Sequence, residues 1–531
     1  MNAINRLMTS AAIGVAVGLS SFAAYAETPA NMLVIANRID DVTTLDPAES
    51  FEFAGSDISR NVYSRLVNLD PLDLDAGYKP DLAESWEVSE DGKTITFTMR
   101  EGVTFQSGNP VRAEDAAYSL RRAVILNKTP AFILTQFGFT PENVEETIKF
   151  DGNKLMITTD KKYATSFVLN CLTATIGAVV DKETVMANEV DGDMGNDWLK
   201  TNTAGSGPYS LGSWKPNESV TLNSYPDYYG GAPAMERVIV RHVLESASQR
   251  LLLERGDIDI ARNLNPEDVA GVLTADGIKV ADELKGRLMY MSLNQKHPEL
   301  SKPEVRQAFK YLIDYEGMQN SFLKGQYTIH QNFLPATYLG ASSDNPFSYN
   351  IEKAKELLAA AGVEGLEVEI GVREAQERIE IGQSFQNAAA QAGIKVNITV
   401  GTAKQILARY RARELDVYLG AWGPDYPDPQ TNAGTFAYNP DNSDAANATG
   451  LLAWRNSWDT GGLTAQVEAA VTEDDRDTRV NMYKDIQSEF RDISPFAVMF
   501  QQIEQSAMQD NVMHWSTGQA VTSAAYWQVT K

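Results

Sequence analysis

One segment, residues 366–428, limits the possible folds more than any other part of the chain. Apolar residues alternate with other residues from Leu366 to Val372 and again from Ile394 to Val400, which is the period of a strand. Between them, Gln376 to Gln391 is predicted to form a helix that ends near Gly393. A strand, a helix and a second strand in this order predict a β-α-β unit, in which the two strands run parallel.

The pattern continues beyond this unit. A further helix is predicted from Ala403 to Arg413, and a further strand from Leu415 to Ala421. A second crossover connection therefore follows the first. Together the two connections indicate an α/β fold built on a parallel sheet.

Charged residues follow two strands of this predicted sheet. Arg373 comes directly after the first strand, and Asp425 lies in the loop from Trp422 to Pro429 after the last one. Ligands of such sheets bind outside the carboxyl ends of the strands. Three prolines hold the loop extended, while Trp422 and Tyr426 supply aromatic faces. The loop is predicted to bind a ligand, although a turn capped by Asp425 over a buried tryptophan has the same pattern.

A carboxylate and a guanidinium at one edge of a sheet are each costly to bury without a partner. A zwitterionic ligand would satisfy both Asp425 and Arg373. The two residues could instead pair with each other. Both arrangements are compatible with the sequence.

Elsewhere the chain shows strand and helix signals in turn. Met32 to Ile35 is predicted to be a buried strand, and residues 86–99 alternate around Asp91-Gly92 as a hairpin does. A helix is expected to start at Ser301 to Glu304, which has the pattern of a capping box, and another to run from Asn350 to Gly362. The first of these helices would place Val305, Ala308, Phe309, Leu312 and Ile313 on one face.

The first 26 residues have the pattern of a secretory signal peptide. Arg6 is their only charge, Ala11 to Leu19 is apolar, and Ala24-Tyr25-Ala26 is a cleavage site before Glu27. The apolar run is about half of the ~20 residues that a membrane-spanning helix needs. Because Cys171 is the only cysteine, we expect a secreted protein without a lipid anchor and without intramolecular disulfides.

Size and charge narrow the class of protein further. Removal of 26 of the 531 residues would leave 505, enough for two or three packed units. The formal net charge of −25 argues against nucleic acid and anionic membranes as partners. The acidic run Glu473 to Asp475 is predicted to be a solvated helix start rather than a metal site.

Several blocks of sequence, taken in order, resemble a known family. LAESWEV at Leu82 to Val88 and GVTF at Gly102 to Phe105 resemble its most characteristic segment. The chain is thereby similar to the extracellular solute-binding proteins of family 5, the peptide and nickel binders of ABC importers. The further matching blocks are Val111 to Asp115, Gly205 to Tyr209, Pro226 to Pro233, Leu293-Asn294, Val305 to Ala308 and Ile313-Asp314.

This resemblance implies a two-lobed α/β clamshell of the periplasmic-binding-protein type, with an extra subdomain in the first lobe. It implies a monomer in the periplasm that captures a small peptide-like ligand and delivers it to an inner-membrane ABC permease, without catalysis and without a cofactor. The expected division is lobe I at 27–69, 203–283 and 486–531, the extra subdomain at 70–202, and lobe II at 284–485.

The resemblance also implies roles for individual residues. Asp425 matches the aspartate that pairs with the ligand's amino group in peptide-binding members, and Arg373 matches an arginine that takes the carboxylate. Gly423, Trp422 and Tyr426 belong to the same ligand-binding loop. The prolines on either side of Asp425 and Tyr426 depart from the pattern of dipeptide binders, so the class of ligand stays open.

Three other functions fit the sequence less well. An enzyme would need apparatus such as G-x-S-x-G, H-E-x-x-H or a phosphate loop, and none occurs, although a glycosidase pair of carboxylates is compatible with so many acidic residues. A nickel carrier would need ligands closer together than the four histidines, although a chelated metal is possible. Sugar binding could use Trp422, Trp454 and Trp458, which are also suited to a core.

Overall fold

The computed structural model describes residues 27–520 and 524–531. The predicted signal peptide therefore lies outside the described residues. Strands and helices are mixed along the chain. The strands are β1 (Met32–Asn37), β2 (Val67–Asp70), β3 (Asp73–Pro80), β4 (Ala83–Val88), β5 (Thr94–Met99), β6 (Ile148–Asp151), β7 (Lys154–Thr158), β8 (Tyr209–Lys215), β9 (Ser219–Ser224), β10 (Arg237–His242), β11 (Ile260–Ala261), β12 (Ile278–Leu293), β13 (Tyr327–Ile329), β14 (Glu367–Arg373), β15 (Lys395–Gly401), β16 (Val417–Trp422) and β17 (Phe496–Gln509).

The helices vary from single turns to about five turns. Within the described parts of the chain, every helix is too short or too polar to cross a bilayer. They are α1 (Phe53–Val62), α2 (Ala113–Leu126), α3 (Phe132–Thr135), α4 (Val144–Thr147), α5 (Thr165–Leu172), α6 (Lys182–Ala187), α7 (Asn196–Leu199), α8 (Ser246–Glu254), α9 (Pro266–Val272), α10 (Pro303–Tyr311), α11 (Tyr315–Asn320), α12 (Ile351–Ala360), α13 (Gln376–Gln391), α14 (Ala403–Arg411), α15 (Pro429–Phe436), α16 (Leu452–Arg455), α17 (Leu463–Thr472) and α18 (Arg476–Ile493).

One continuous sheet connects the two halves of the molecule. Its strand order is β15-β14-β16-β12-β17-β11-β1-β10-β9-β8, and β13 adds to β17. The β-α-β unit predicted from the sequence is present at one end, where β14 pairs in parallel with both β15 and β16. At the other end β1 pairs in parallel with β10 and β11.

The long strands β12 and β17 lie in the centre of this sheet and pair antiparallel along most of their length. Their register shifts between Leu284 and Leu288, so each strand has two segments. Ala507 of β17 lies in a core with β1 and α8, whereas Phe496 of the same strand lies in a core with α15 and α18. The two strands therefore cross from one half of the molecule to the other.

A separate antiparallel sheet has the order β4-β5-β7-β6 and packs against α2 and α5. The predicted hairpin around Asp91-Gly92 is confirmed as β4 and β5. Gly92 supports this turn because its φ of +69° is one that other residues rarely adopt. The hydrophobic core beneath this small sheet also includes Tyr426, which lies in the loop after β16 of the main sheet.

Two local predictions differ from the structure. The Ser301 side chain donates to the carbonyl of Pro298 rather than capping a helix, and α10 begins at Pro303 with Lys302 as its N-cap and no side-chain cap. Helix α14 ends at Arg411, two residues before the predicted end at Arg413. Arg413 adopts a φ of +60°, and the backbone N–H groups of Arg413 and Glu414 donate to the Tyr410 and Arg409 carbonyls, so a Schellman turn ends the helix.

The division into lobes stays a prediction. The expected boundary at 485 falls within α18, and Tyr483 and Phe490, on either side of it, lie in the same core. We propose that lobe II extends through α18 and that the chain leaves it within β17.

Candidate ligand-binding site

The loop between β16 and α15 is shaped by its own residues. β16 ends at Trp422, and α15 begins at Pro429, a first position at which a proline loses no hydrogen bond. The Asp428 side chain accepts from the backbone N–H of Gln430 at 2.8 Å and caps the helix. Between Trp422 and Asp428 the chain has no helical turn, and its side chains are presented individually.

Asp428 is held by a buried ion pair. Both of its oxygens accept from Arg479, at 2.8 and 3.0 Å, and the Asn170 amide donates to one of them at 2.8 Å. The Asp428 and Arg479 side chains are 0% and 1% exposed. Because all these contacts are internal, Asp428 is a structural residue that joins the loop to α18 and α5.

Two cavities lie on either side of the loop. The first has a volume of about 290 Å³ and is lined by Arg60, Arg65 and Tyr338 beside the loop. The second has a volume of about 550 Å³ and lies between the loop, β14, α14 and α16. Asp425, Trp422 and Tyr426 line both, so this short segment separates the two spaces.

Asp425 has no partner that matches its charge. Within the described chain, no cationic nitrogen lies within 4.0 Å of its carboxylate. Its backbone N–H donates to the Thr431 hydroxyl at 3.1 Å, which orients the main chain and leaves the carboxylate available. Burial raises the pKa of Asp425 to about 7, and the charge of Arg455 opposes that shift.

Arg373 is the last residue of β14, where it was expected just after the strand. It lines the larger cavity together with Asp425. Its Nε is buried and has no hydrogen-bond partner among the described residues. No ion pair joins Arg373 to Asp425, so the alternative in which the two residues neutralise each other is not the arrangement observed.

The other predicted residues of the loop have different surroundings. Trp422 packs edge-on against Phe436 with ring centres 5.8 Å apart and also borders both cavities. Tyr426 is buried and its ring lies 5.9 Å from that of Phe167, across the gap between the two halves. Gly423 lines the smaller cavity.

Two arginines in the larger cavity were not predicted. Arg411 is the last residue of α14, and Arg455 is the last residue of α16. A basic residue in the last turn of a helix is usually explained by the helix dipole, which is why neither one is distinctive in the sequence. Only the packing of these helices beside β14 shows that Arg411 and Arg455 lie at the same space as Arg373.

The two halves also meet outside the cavities. The Asp474 carboxylate accepts from the Thr165 backbone N–H at 2.9 Å and pairs with Lys162 at 2.7 Å. The Ala164 backbone N–H donates to the Val471 carbonyl at 2.8 Å. Asp474 is exposed beside the start of α18, as the prediction of a solvated helix start requires, and it also bridges two parts of the molecule. Asp475 does cap α18 as expected.

Trp454 and Trp458, considered for sugar binding, and His330, considered for metal binding, are buried and packed against other side chains. Trp454 is buried under the Arg413 guanidinium, which lies 4.0 Å from its ring centre, and Trp458 packs against Phe490. His330 is buried, and burial lowers its pKa to about 4. No group of three or more potential metal ligands is found in residues 27–520 and 524–531.

A sheet shared by two halves, with enclosed cavities where the halves meet, defines a clamshell binding protein. The model of the bacterial extracellular solute-binding proteins, family 5 Middle, matches residues 77–444. The chain belongs to the extracellular solute-binding proteins of family 5, as the resemblance in its sequence predicted. This is a family of solute-binding transport proteins, not of enzymes.

Individual relatives cover most of the chain. The probable D,D-dipeptide-binding periplasmic protein DdpA of Escherichia coli (strain K12) is 28% identical over 495 residues, 92% of each chain. The glutathione-binding protein GsiB of Salmonella typhi is 26% identical over 409 residues, 76% of this chain and 75% of the relative.

Solved structures share the fold. HbpA2 from Haemophilus parasuis superposes with a TM-score of 0.78 at 24% identity, over 94% of this chain and 99% of that one. DppA from Helicobacter pylori, in complex with the peptide STSA, superposes with a TM-score of 0.77 at 22% identity, over 94% and 98%. The predicted two-lobed clamshell is thereby confirmed.

Proposed function

We propose that this protein binds a short, zwitterionic, peptide-like solute in the larger cavity, closes over it and delivers it to an ABC permease in the inner membrane. The observation that carries the proposal is the pair Asp425 and Arg373. They line one cavity with opposite charges and without an ion pair between them. The binding of a dipeptide or of glutathione by the relatives named above supports the same class of ligand.

The proposal assigns one charge of the ligand to each residue. Asp425 accepts the ligand's ammonium group, and Arg373 donates to its carboxylate. Both contacts are made in a partly closed space, where a charge without a partner is costly. A ligand with both charges gains both contacts, whereas a neutral sugar of the same size could form hydrogen bonds but would leave both residues without a counter-charge.

Calorimetric titration with dipeptides tests this assignment. The best dipeptide of a panel is compared with its N-acetylated and its C-amidated forms. Asp425→Asn should weaken binding of the free peptide by about 2 to 5 kcal/mol, or roughly thirty-fold or more in Kd, because the peptide's ammonium group loses a buried partner. The same change should have little effect on binding of the N-acetylated form. Arg373→Gln should weaken binding of the free peptide and have little effect on binding of the C-amidated form.

Asp459→Asn is a suitable control, since Asp459 is exposed and its side chain accepts only from the nearby Gly461 N–H. It should leave all three affinities unchanged. Equal losses for blocked and free peptides in Asp425→Asn would contradict the assignment. Failure of every peptide to bind the wild type would contradict the proposed function itself.

The same proposal places the mature protein in the periplasm as a soluble monomer that begins at Glu27. The cleavage pattern before Glu27 and the absence of a cysteine there support it. N-terminal sequencing of the protein from a periplasmic extract should start at Glu27. A start at Met1 in that extract would contradict the export prediction.

A further inference from the structure

The larger cavity carries more positive charge than a simple zwitterion needs. Arg373, Arg411 and Arg455 line it, and among the described residues Asp425 is the only acidic one in its lining. They end β14, α14 and α16 respectively, so three separate elements bring guanidinium groups to one space. This cluster of positive charge contrasts with the formal net charge of the whole chain, which is −25.

None of the three arginines has an acidic partner. No carboxylate lies within 4.0 Å of any of them in the part of the chain that the structure describes. Arg455 uses its Nε to donate to the Thr449 carbonyl at 2.6 Å and lies over the Tyr410 ring. Its terminal nitrogens make no hydrogen bond to the described residues. The Nε of Arg373 is buried and unpaired as well.

The arginines two residues before and two residues after Arg411 are both paired. Arg409, two residues before Arg411 on α14, forms two hydrogen bonds to Glu369, at 2.6 and 2.8 Å. Arg413, two residues after Arg411, pairs with Asp444 at 2.7 Å. The arginines of the cavity therefore differ from their neighbours in the chain.

The positive charge continues behind the cavity wall. Arg378 of α13 is buried, and its Nε lies 3.7 Å from the Glu377 carboxylate without a hydrogen bond. Its pKa is lowered by burial, then by Arg287 and Arg373. The pKa of Arg411 is lowered by partial burial and by the charge of Arg455. These effects indicate that the cations lie close enough to repel one another.

A ligand with one ammonium and one carboxylate would match Asp425 and a single arginine. Two guanidinium groups would remain without a counter-charge in a space that closure partly removes from water, which is unfavourable. A second acid group on the ligand reduces the number of uncompensated guanidinium groups from two to one, and a carboxylate can accept hydrogen bonds from both of them. The volume of about 550 Å³ is within the range of small-molecule sites.

We infer that the ligand is an acidic peptide with one free amine and at least two carboxylates, the second of which is bound by Arg411 and Arg455. This inference rests on the proposed function and narrows its class of ligand. Arg373 keeps the main-chain carboxylate. The additional carboxylate belongs to a side chain such as that of glutamate.

Matched peptides separate this inference from the proposed function. Thermal shift and calorimetry at pH 7.5 compare Ala-Glu with Ala-Gln, Glu-Ala with Gln-Ala, the tripeptides Ala-Glu-Ala and Ala-Gln-Ala, and N-acetyl-Ala-Glu. Each pair has the same shape and differs by one charge. In at least one pair, we expect the affinity for the glutamate peptide to be about tenfold or more higher than the affinity for its glutamine counterpart.

Variants then locate the second carboxylate. Arg455→Gln and Arg411→Gln should each reduce the preference for the glutamate peptide over its glutamine counterpart to about threefold or less. Arg409→Gln, on the same helix as Arg411 but paired with Glu369, should keep the full preference. A preference that survives in both Arg411→Gln and Arg455→Gln would overturn the assignment to these residues.

The outcomes for the two proposals differ. Equal binding of the glutamate and glutamine members overturns the inference and leaves the zwitterion proposal standing. Equal binding of Ala-Glu and its N-acetyl form, both above Ala-Gln, supports the acidic ligand and overturns the amine contact at Asp425. If no peptide of the panel changes the melting temperature, both proposals are overturned.

Discussion

Two aspartates in one loop differ in what their surroundings do to them. Asp428 is enclosed by Arg479 and Asn170, and each of its oxygens has a partner. Asp425, three residues earlier, faces the cavities and has no cation within 4.0 Å. The chemistry of the two side chains is identical, so the difference lies entirely in the neighbours. One residue stabilises the fold, and the other is left for a ligand.

Removal of the Asp428 charge should destabilise the protein. Asp428→Asn leaves the buried Arg479 guanidinium without its counter-charge, and breaking a buried pair in this way costs about 3 to 5 kcal/mol. Urea unfolding followed by circular dichroism should show the loss. Asp425→Asn is the matched control and should show no such loss. A stability of Asp428→Asn within about 0.5 kcal/mol of the wild type would contradict the structural role.

The titration of Asp425 predicts a second effect on stability. Burial raises its pKa from the ordinary 3.8 to about 7 in the folded protein. The folded state therefore holds this proton more tightly than the unfolded state, and its contribution to stability is lost as pH rises from about 4 to 7. In the absence of ligand, Asp425→Asn should melt at a higher temperature than the wild type at pH 8, by about 2 to 5 °C.

The difference between variant and wild type should shrink as the pH is lowered from 7 to 5. Differential scanning calorimetry at several pH values measures it. A difference that is the same at pH 5 and pH 8 would contradict the raised pKa. Asp459→Asn controls for the loss of an exposed acidic residue from a chain of net charge −25.

At the scale of elements, the crossing strands position the ligand-binding loop. Gly286 lies in the register shift of β12, between Leu284 and Leu288. A Cβ at Gly286 would come within 3.2 Å of the Pro424 ring and 3.3 Å of the Tyr338 ring. The close approach of the strand to Pro424 brings the neighbouring Asp425 to the centre of the molecule.

A side chain at Gly286 should therefore weaken ligand binding. Gly286→Ala forces the Pro424 ring to move by a few tenths of an ångström or more, and Asp425 moves with it. We expect a loss of about fivefold or more in peptide affinity by calorimetry, with a melting temperature within a few degrees of the wild type. Gly462→Ala is the control, since its nearest neighbour would be 3.9 Å away. An unchanged affinity in Gly286→Ala would contradict the positioning by β12.

Predictability differed between elements for a physical reason. The β14-α13-β15 unit follows from local alternation, because its strands and helix are adjacent in sequence and each buries a regular face. The length of β12 and its pairing partners do not follow from local alternation. Its residue Ile278 pairs with Gln509, far away in the sequence, and the strand contributes to several cores. The end of α14 is a turn in which Arg413 takes the left-handed conformation that usually favours glycine, so the residue type does not mark it.

For the whole molecule, the contacts across the gap correspond to a closed arrangement. Asp474 bridges to Lys162 and Thr165, and the Tyr426 ring packs against Phe167. The Lys162–Asp474 pair is about half exposed, and such pairs contribute only about 0 to 1 kcal/mol. Opening about the crossing strands also has to break the buried Asn170–Asp428 hydrogen bond, and it is the motion expected of two lobes joined in this way.

Closure should be visible in solution. Small-angle scattering of the ligand-free protein should give a larger radius of gyration than that of the protein saturated with a peptide. Asp425→Asn at the same peptide concentration should stay in the larger form, because it loses the ligand's ammonium contact. An identical profile for the wild type with and without bound peptide would contradict the clamshell motion.

The sequence alone was sufficient for the family, the α/β class and the residues at the carboxyl ends of β14 and β16. Such features depend on periodicity and on motifs within a few tens of residues. Tertiary structure decided which charged residues come together. Asp428 pairs with Arg479, whereas Arg373, Arg411 and Arg455 line one cavity with Asp425. Charge pairing depends on the distance between elements that are far apart in the chain, and that distance is determined only when the cores pack.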